Sequence, residues 1–246
     1  GDVYKRQLPM FGHGQIEGLR EKYGMEYRRA YWDESPDEGF IRHHEQQIFP
    51  LLKKRYLFSE SAQFRLFDFT SGGQVNEDVL AYSNQAGSER ALVVYHNRFA
   101  ETGGWLQHST TRLVPDDGGE MVSEHLTLAE VLGAGEGDRC FLRFRDHHSG
   151  LEYLQKSDEL RQNGLYLHLP AYDYRVFLDF YLFEDDDGSW QQLHGQLAGQ
   201  PAKDLDLERD RLRFASLHHL LLRALAPDLT EDLLPAKPTT AAAQVS

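Results

Sequence analysis

The sequence predicts an α+β protein in three parts: an N-terminal strand, loop and helix, then an antiparallel β-sandwich, then a C-terminal helical segment. Three observations predict it. Helical spacing of apolar residues gives way to a period of two from Phe64 onward. Charge divides at the same place: residues 1–60 hold ten basic and ten acidic side chains and the rest holds 16 and 29, so the whole net charge of −13 lies downstream. With 40% hydrophobic and 12% aromatic residues, the chain has enough apolar surface to order most of its length.

The elements follow in order. Leu8 to Phe11 is a short apolar run ending in glycines, the pattern of a buried strand that opens into the loop Gly12-His13-Gly14-Gln15-Ile16-Glu17-Gly18. Ser35-Pro36-Asp37-Glu38 supplies an N-cap, a proline at the first helical position and early acids. Phe40, Ile41, His44, Ile48, Leu51 and Leu52 continue at helical spacing, with a kink or restart expected at Pro50. Lys53, Lys54 and Arg55 suit the negative end of a helix dipole.

Seven strands are then expected: Phe64 to Phe69, Asp78 to Asn84, Ala91 to Asn97, Cys140 to Arg145, Leu151 to Leu154, Leu165 to Leu169 and Asp173 to Phe183. Turn signals stand at residues 85–88, 116–119 and 187–188, and this many turn-separated strands imply a sandwich. Two short helices interrupt it, Leu126 to Leu132 and Ser157 to Gln162, the second stopped by Gly164. Leu205 to Leu225 reads as one amphipathic helix. Beyond it, Leu234 to Thr240 and three alanines have the composition of a tail. Domain boundaries are placed at 1–60, 61–190 and 191–246.

Composition excludes several roles. An excess of acids without a basic patch argues against nucleic acid and anionic membrane surfaces as partners, because phosphate binding needs clustered Lys and Arg. No apolar run approaches the roughly 20 residues that a bilayer requires. The single cysteine, Cys140, leaves no internal disulfide and no cysteine-based zinc site, and it suits a reducing, cytoplasmic interior. The chain opens Gly1-Asp2-Val3-Tyr4-Lys5-Arg6-Gln7, without the apolar segment of a signal peptide. It is read as a fragment, with residues 1–7 set aside as a cloning or read-end artefact.

Most chemistry-bearing patterns fail on spacing. The pairs His43-His44, His147-His148 and His218-His219 are adjacent, and neighbours diverge by about 100° on a helix and about 180° on a strand, so neither member assists the other as a metal ligand. Glu184-Asp185-Asp186-Asp187-Gly188 lacks the first acid and the bidentate Glu of a calcium loop and reads as a solvated hairpin tip. A Gly-x-Ser-x-Gly elbow and a phosphate-cradling glycine loop are both absent from the sequence. No metal and no cofactor are expected.

Residues 8–32 are the informative stretch, with His13, Gln15, Glu17, Glu26, Tyr27, Arg28, Tyr31 and Trp32 close together. A strand ending in a glycine-rich loop before a helix is how a barrel strand delivers side chains to an active-site face. Aromatic faces stack on pyranose rings while carboxylate, amide and guanidinium groups bond the hydroxyls. The competing reading is a loop that closes a barrel bottom or a domain junction, with Glu26 and Arg28 as an ion pair.

Leu8-Pro9-Met10-Phe11-Gly12-His13-Gly14-Gln15-Ile16-Glu17-Gly18 resembles the last barrel strand and following loop of α-amylase-type enzymes, glycoside hydrolase family thirteen. Residues 42–55 are similar to that family's final barrel helix. Residues 78–84 and 90–97 resemble the first hairpin of its C-terminal β-sandwich, and Val176 to Phe180 a closing strand. The resemblance implies the truncated end of a (β/α)8 barrel, last strand and helix, followed by the sandwich. It implies α-glucan oligo- or polysaccharide as the ligand, with the family's catalytic carboxylates in a missing N-terminal part of the same chain. No catalytic residue is therefore assigned here, and His13, Gln15 and Glu17 are expected to line the rim of the substrate cleft. Two other roles stand beside this one: a non-catalytic carbohydrate-binding sandwich, with Trp105 after Gly103-Gly104 and Trp190 as stacking platforms, and a purely structural sandwich that buttresses the barrel.

Overall fold

Alternating apolar residues organise the middle of the chain into one antiparallel sheet. The computed structural model describes residues 11–21, 29–59, 61–116 and 118–224. All but Phe11 of the strand expected at Leu8 to Phe11, the residues Glu26, Tyr27 and Arg28, and everything from 225 onward, with the tail expected from Leu234, lie outside the described residues.

The strands are β1 (Arg65–Ser71), β2 (Gln74–Val75), β3 (Val79–Ala86), β4 (Glu89–His96), β5 (Thr102–Ser109), β6 (Arg112–Pro115), β7 (Met121–Glu124), β8 (Cys140–Asp146), β9 (Glu152–Lys156), β10 (Leu165–Leu169) and β11 (Tyr174–Glu184). Eight of them run in the order β10-β5-β1-β3-β4-β11-β8-β9, with β2 beside β1, and β6 and β7 form a separate hairpin. Every pairing is antiparallel. The sheet curls into a half-barrel, with register shifts between Phe67 and Phe69 and between Leu178 and Tyr181. Asp179, at φ 57°, sits inside the second shift, as a bulged residue does.

The curl brings both ends of the sheet onto one core of Phe67, Phe69, Leu92, Val94, Leu106, Phe144, Leu165 and Phe177. Helices α4 (Leu128–Leu132) and α5 (Ser157–Asn163) fill its open side through Leu128, Leu132 and Leu160. The sequence starts and stops α4 cleanly. Thr127 and Glu130 form a reciprocal capping box, and Gly133 ends the helix in the left-handed conformation.

A second apolar layer covers the far side of β11. Val176 and Leu178 face Leu57 and Ala91, whereas Phe177 between them faces the main core. That double burial is why this stretch of β11 is continuously apolar. Leu57 belongs to a helical run on the 38–59 segment: α1 (Glu38–His43), a π-helical turn (His44–Ile48), α2 (Phe49–Lys53) and α3 (Arg55–Ser59). The restart expected at Pro50 occurs, with the proline in the first turn of α2 where its missing N–H costs nothing. The N-cap is Asp37 rather than Ser35, its carboxylate accepting from the Phe40 N–H at 3.0 Å. Lys54 and Tyr56 both donate to Glu89 on β4, at 2.6 and 2.5 Å, and hold its carboxyl below the usual carboxylate range.

The third layer is α6 (Ser189–Leu197), α7 (Leu205–Arg213) and α8 (Ala215–Ala224). The single expected helix over 205–225 is thus two, broken at Phe214. Trp190, Leu193, Ala202 and Leu205 pack on Phe141 and Leu154 of β8 and β9. Glu184 to Gly188 is not a hairpin tip but a strand-to-helix connection: Asp185 is buried, and its carboxylate accepts from the Gly188 and Gln191 N–H groups at 3.0 and 2.9 Å. Among the described residues, no helix is long and apolar enough to cross a membrane.

Candidate functional site

Two glycines shape the loop that carries His13, Gln15 and Glu17. Gly14 is buried at φ 71°, where a Cβ would meet Leu19, and Gly18 sits at φ 73° against Phe40. Between them residues 13–18 make a compact turn closed by the Leu19 N–H to the Gly14 carbonyl at 2.8 Å. The three expected rim residues therefore share one turn, but with different duties. His13 is exposed. The Gln15 side-chain oxygen accepts from the Gly12 N–H at 3.0 Å, so part of its hydrogen-bonding capacity is spent within the loop. The main-chain carbonyl of Glu17 accepts from the Asp37 N–H at 2.8 Å, which ties the turn to the N-terminus of α1, and its side chain is half-buried.

Two carboxylates that the sequence reading passed over build the rest of the loop. Glu34 accepts from the Arg20 and Glu21 N–H groups at 3.0 and 2.9 Å. Glu21 in turn accepts from the Tyr31 N–H at 2.9 Å and the Trp32 N–H at 2.9 Å. A carboxylate gripped by backbone N–H groups is a fixed acceptor that holds the chain around it. These staples hold the backbone of residues 31–32, and the rings of Tyr31 and Trp32 stand out in solvent. Acids spaced 13 apart carry no local signature, which is why their structural role was not legible in the sequence.

Three of the paired histidines serve as ties. His44 is buried, its Nδ1 3.0 Å from the Phe40 carbonyl and its ring edge-on to Phe40. His147 Nε2 lies 3.0 Å from the Gln47 carbonyl, and His148 Nδ1 lies 3.0 Å from the Tyr174 hydroxyl, so this pair fastens the β8–β9 turn to the helical segment and to β11. Among the described residues, no cluster of three or more His, Cys, Asp or Glu side chains is arranged to hold a metal.

Of the two tryptophans expected as platforms, one is corrected. Trp190 is only 9% exposed, packed against Phe183 with the Arg209 guanidinium 4.6 Å over its ring. It is a core anchor of α6, because an amphipathic helix placed on β8 and β9 buries its largest ring first. Trp105 remains 43% exposed on the outer face of β5.

No protein-family model matches the chain, and no curated protein is significantly similar to it.

Proposed function

We propose that this chain is the C-terminal part of an α-glucan-active glycoside hydrolase of the amylase type, comprising the last strand and helix of a (β/α)8 barrel and its all-β companion. The observation that carries the reading is the stapled segment, in which Glu21 holds the backbone N–H groups of Tyr31 and Trp32, whose rings are exposed, a short way along the chain from the polar turn of His13, Gln15 and Glu17. Aromatic faces beside fixed polar groups suit a sugar. The retaining reaction of such enzymes needs two carboxyl groups about 5–5.5 Å apart across the scissile bond. Glu21 and Glu34 are committed to backbone N–H groups, and the loop contributes substrate contacts.

The test uses the product of the complete reading frame. That protein is expected to hydrolyse or transfer glucosyl units of maltoheptaose and glycogen, while the 246-residue chain alone releases no reducing sugar. Trp32→Ala in the complete protein should raise KM roughly tenfold and leave kcat within about threefold, the mark of lost uniform binding. A complete protein without α-glucan turnover overturns the proposal, and so does hydrolysis by the chain alone.

A further inference from the structure

A second aromatic site lies on the outward face of the curled sheet, remote in sequence from the first. Trp105 on β5 pairs with Tyr166 on the edge strand β10 and with Thr70 on β1, so the three form an outward row across the strands. Trp105 is 43% and Tyr166 52% exposed. Their ring centroids lie 5.2 Å apart with the planes inclined at 63°. Gly103 permits this arrangement, because a Cβ there would collide with the Tyr166 hydroxyl.

The Trp105 indole stands as a ridge between two open hollows. The larger, about 650 Å³, lies between β10 and helix α6, and the smaller, about 520 Å³, lies toward the β1–β2 turn. Trp105 and Asn163 line both. Each volume falls within the range of small-ligand sites. Among the described residues, neither wall carries a Lys or Arg. Amide side chains dominate instead: Gln155, Asn163, Gln191 and Gln200 in the larger hollow, Gln107 and Gln162 in the smaller. An amide offers both donors and an acceptor, the complement of a hydroxyl group. The carboxylate in the larger hollow, Glu159, faces the His194 imidazole at 3.4 Å.

Uncharged amides around exposed rings select a neutral, hydroxyl-rich ligand with apolar ring faces, which is a sugar. The angle between the rings narrows the linkage. A flat β-linked ribbon stacks on coplanar platforms, whereas an α-linked chain turns successive rings out of plane and meets inclined ones. We propose that the Trp105–Tyr166 ridge is a binding site for an α-linked gluco-oligosaccharide, with sugar units in both hollows and the indole between them. The sugar class rests on the cleft; the α-linkage rests also on the function proposed above.

The experiment is native electrophoresis of the 246-residue chain through gels containing amylopectin, with hydroxyethyl cellulose as the comparison polymer. Amylopectin should retard the wild-type chain. Trp105→Ala and Tyr166→Ala should each raise the apparent dissociation constant roughly tenfold or more, Trp105→Phe should retain most of the retardation, and Phe99→Ala, an exposed ring outside both hollows, should leave it unchanged. Thermal midpoints of the variants within a few degrees of wild type exclude a folding defect, which two half-exposed positions do not threaten. An unretarded wild-type chain overturns the site. Retardation lost in Trp32→Ala and kept in Trp105→Ala also overturns it, and moves sugar binding to the stapled loop in support of the proposed function. Equal retardation by hydroxyethyl cellulose overturns the α-linkage. Because turnover by the complete protein is measured separately, failure of the cleft and failure of the enzyme assignment are distinguishable.

Discussion

Replacing Glu152 by Gln should detach the helical layer from the sheet before anything else unfolds. Glu152 on β9 is 3% exposed, and its carboxylate receives Arg143 Nη2 at 2.9 and 2.8 Å, Arg145 Nη2 at 2.6 Å and the Leu205 N–H at 2.9 Å. Leu205 is the first residue of α7, so this one carboxylate joins two cations on β8 to the positive end of a helix. Arg143 also donates to Asp206 at 2.7 Å, and the backbone of Glu152 exchanges hydrogen bonds with Ala202. Removing the charge leaves Arg143, whose side chain is only 25% exposed, facing an amide. Breaking a buried pair in this way costs about 3–5 kcal/mol, at the lower end here because Asp206 remains and both cations reach water. At about 2–4 °C per kcal/mol for a chain of this size, a loss of about 3 kcal/mol lowers Tm by roughly 6–12 °C.

Two readouts locate the effect. Hydrogen exchange should quicken first in residues 199–213, and the fluorescence of buried Trp190 should shift to the red as α6 loosens. The pH dependence has a fixed sign. Burial raises the Glu152 pKa, but the Leu205 N–H, Arg143 and Arg145 together outweigh it, and the folded value lies below the ordinary one. A depressed carboxylate stabilises fully above its unfolded pKa, and the contribution disappears as pH falls through the folded value. Wild type should therefore lose stability on acidification more steeply than Glu152→Gln between the ordinary glutamate pKa and that depressed value. A variant melting within about 2 °C of wild type, or equal acid slopes, refutes the assignment of Glu152 as the tie.

Leu57, 1% exposed, joins α3 to Ala91, Val176 and Leu178. Leu57→Ala should cost about 3 kcal/mol and expose the 38–59 segment to limited proteolysis, and an unchanged digestion pattern with Tm within about 2 °C refutes that packing. Burial, with Glu184, Asp158 and Asp138 nearby, pushes the Cys140 thiol above its ordinary pKa, and the thiol donates to the Glu136 carbonyl at 3.0 Å. Native protein should react slowly with a thiol reagent at pH 8 and quickly only once denaturant unfolds it; equal rates before and after unfolding contradict the buried placement.

Much of the sheet was legible because its cause is local. Leu165, Leu167 and Leu169 alternate with Tyr166 and His168, and β10 spans the expected residues, Leu165–Leu169. Helix α5 stops at Gly164, as its sequence signals. β5 was not legible, since Gly103-Gly104 reads as a chain breaker. In the folded protein those glycines are required by contacts from other strands: a Cβ at 104 would strike the Phe69 ring, and one at 103 the Tyr166 hydroxyl. Helix α6 was missed for a similar reason, its start set by buried Asp185 rather than by a Ser, Thr or Asn cap of its own.

From its amino acids alone, this protein's alternation of apolar and polar residues dictated an antiparallel α+β chain with a helical beginning and end, since period and turn chemistry act between near neighbours. Tertiary structure decided which tryptophan is exposed and which an anchor, and which acids are staples. Those roles depend on what the curled sheet brings across from distant chain: Arg209 and Phe183 over Trp190, but open hollows on both sides of Trp105.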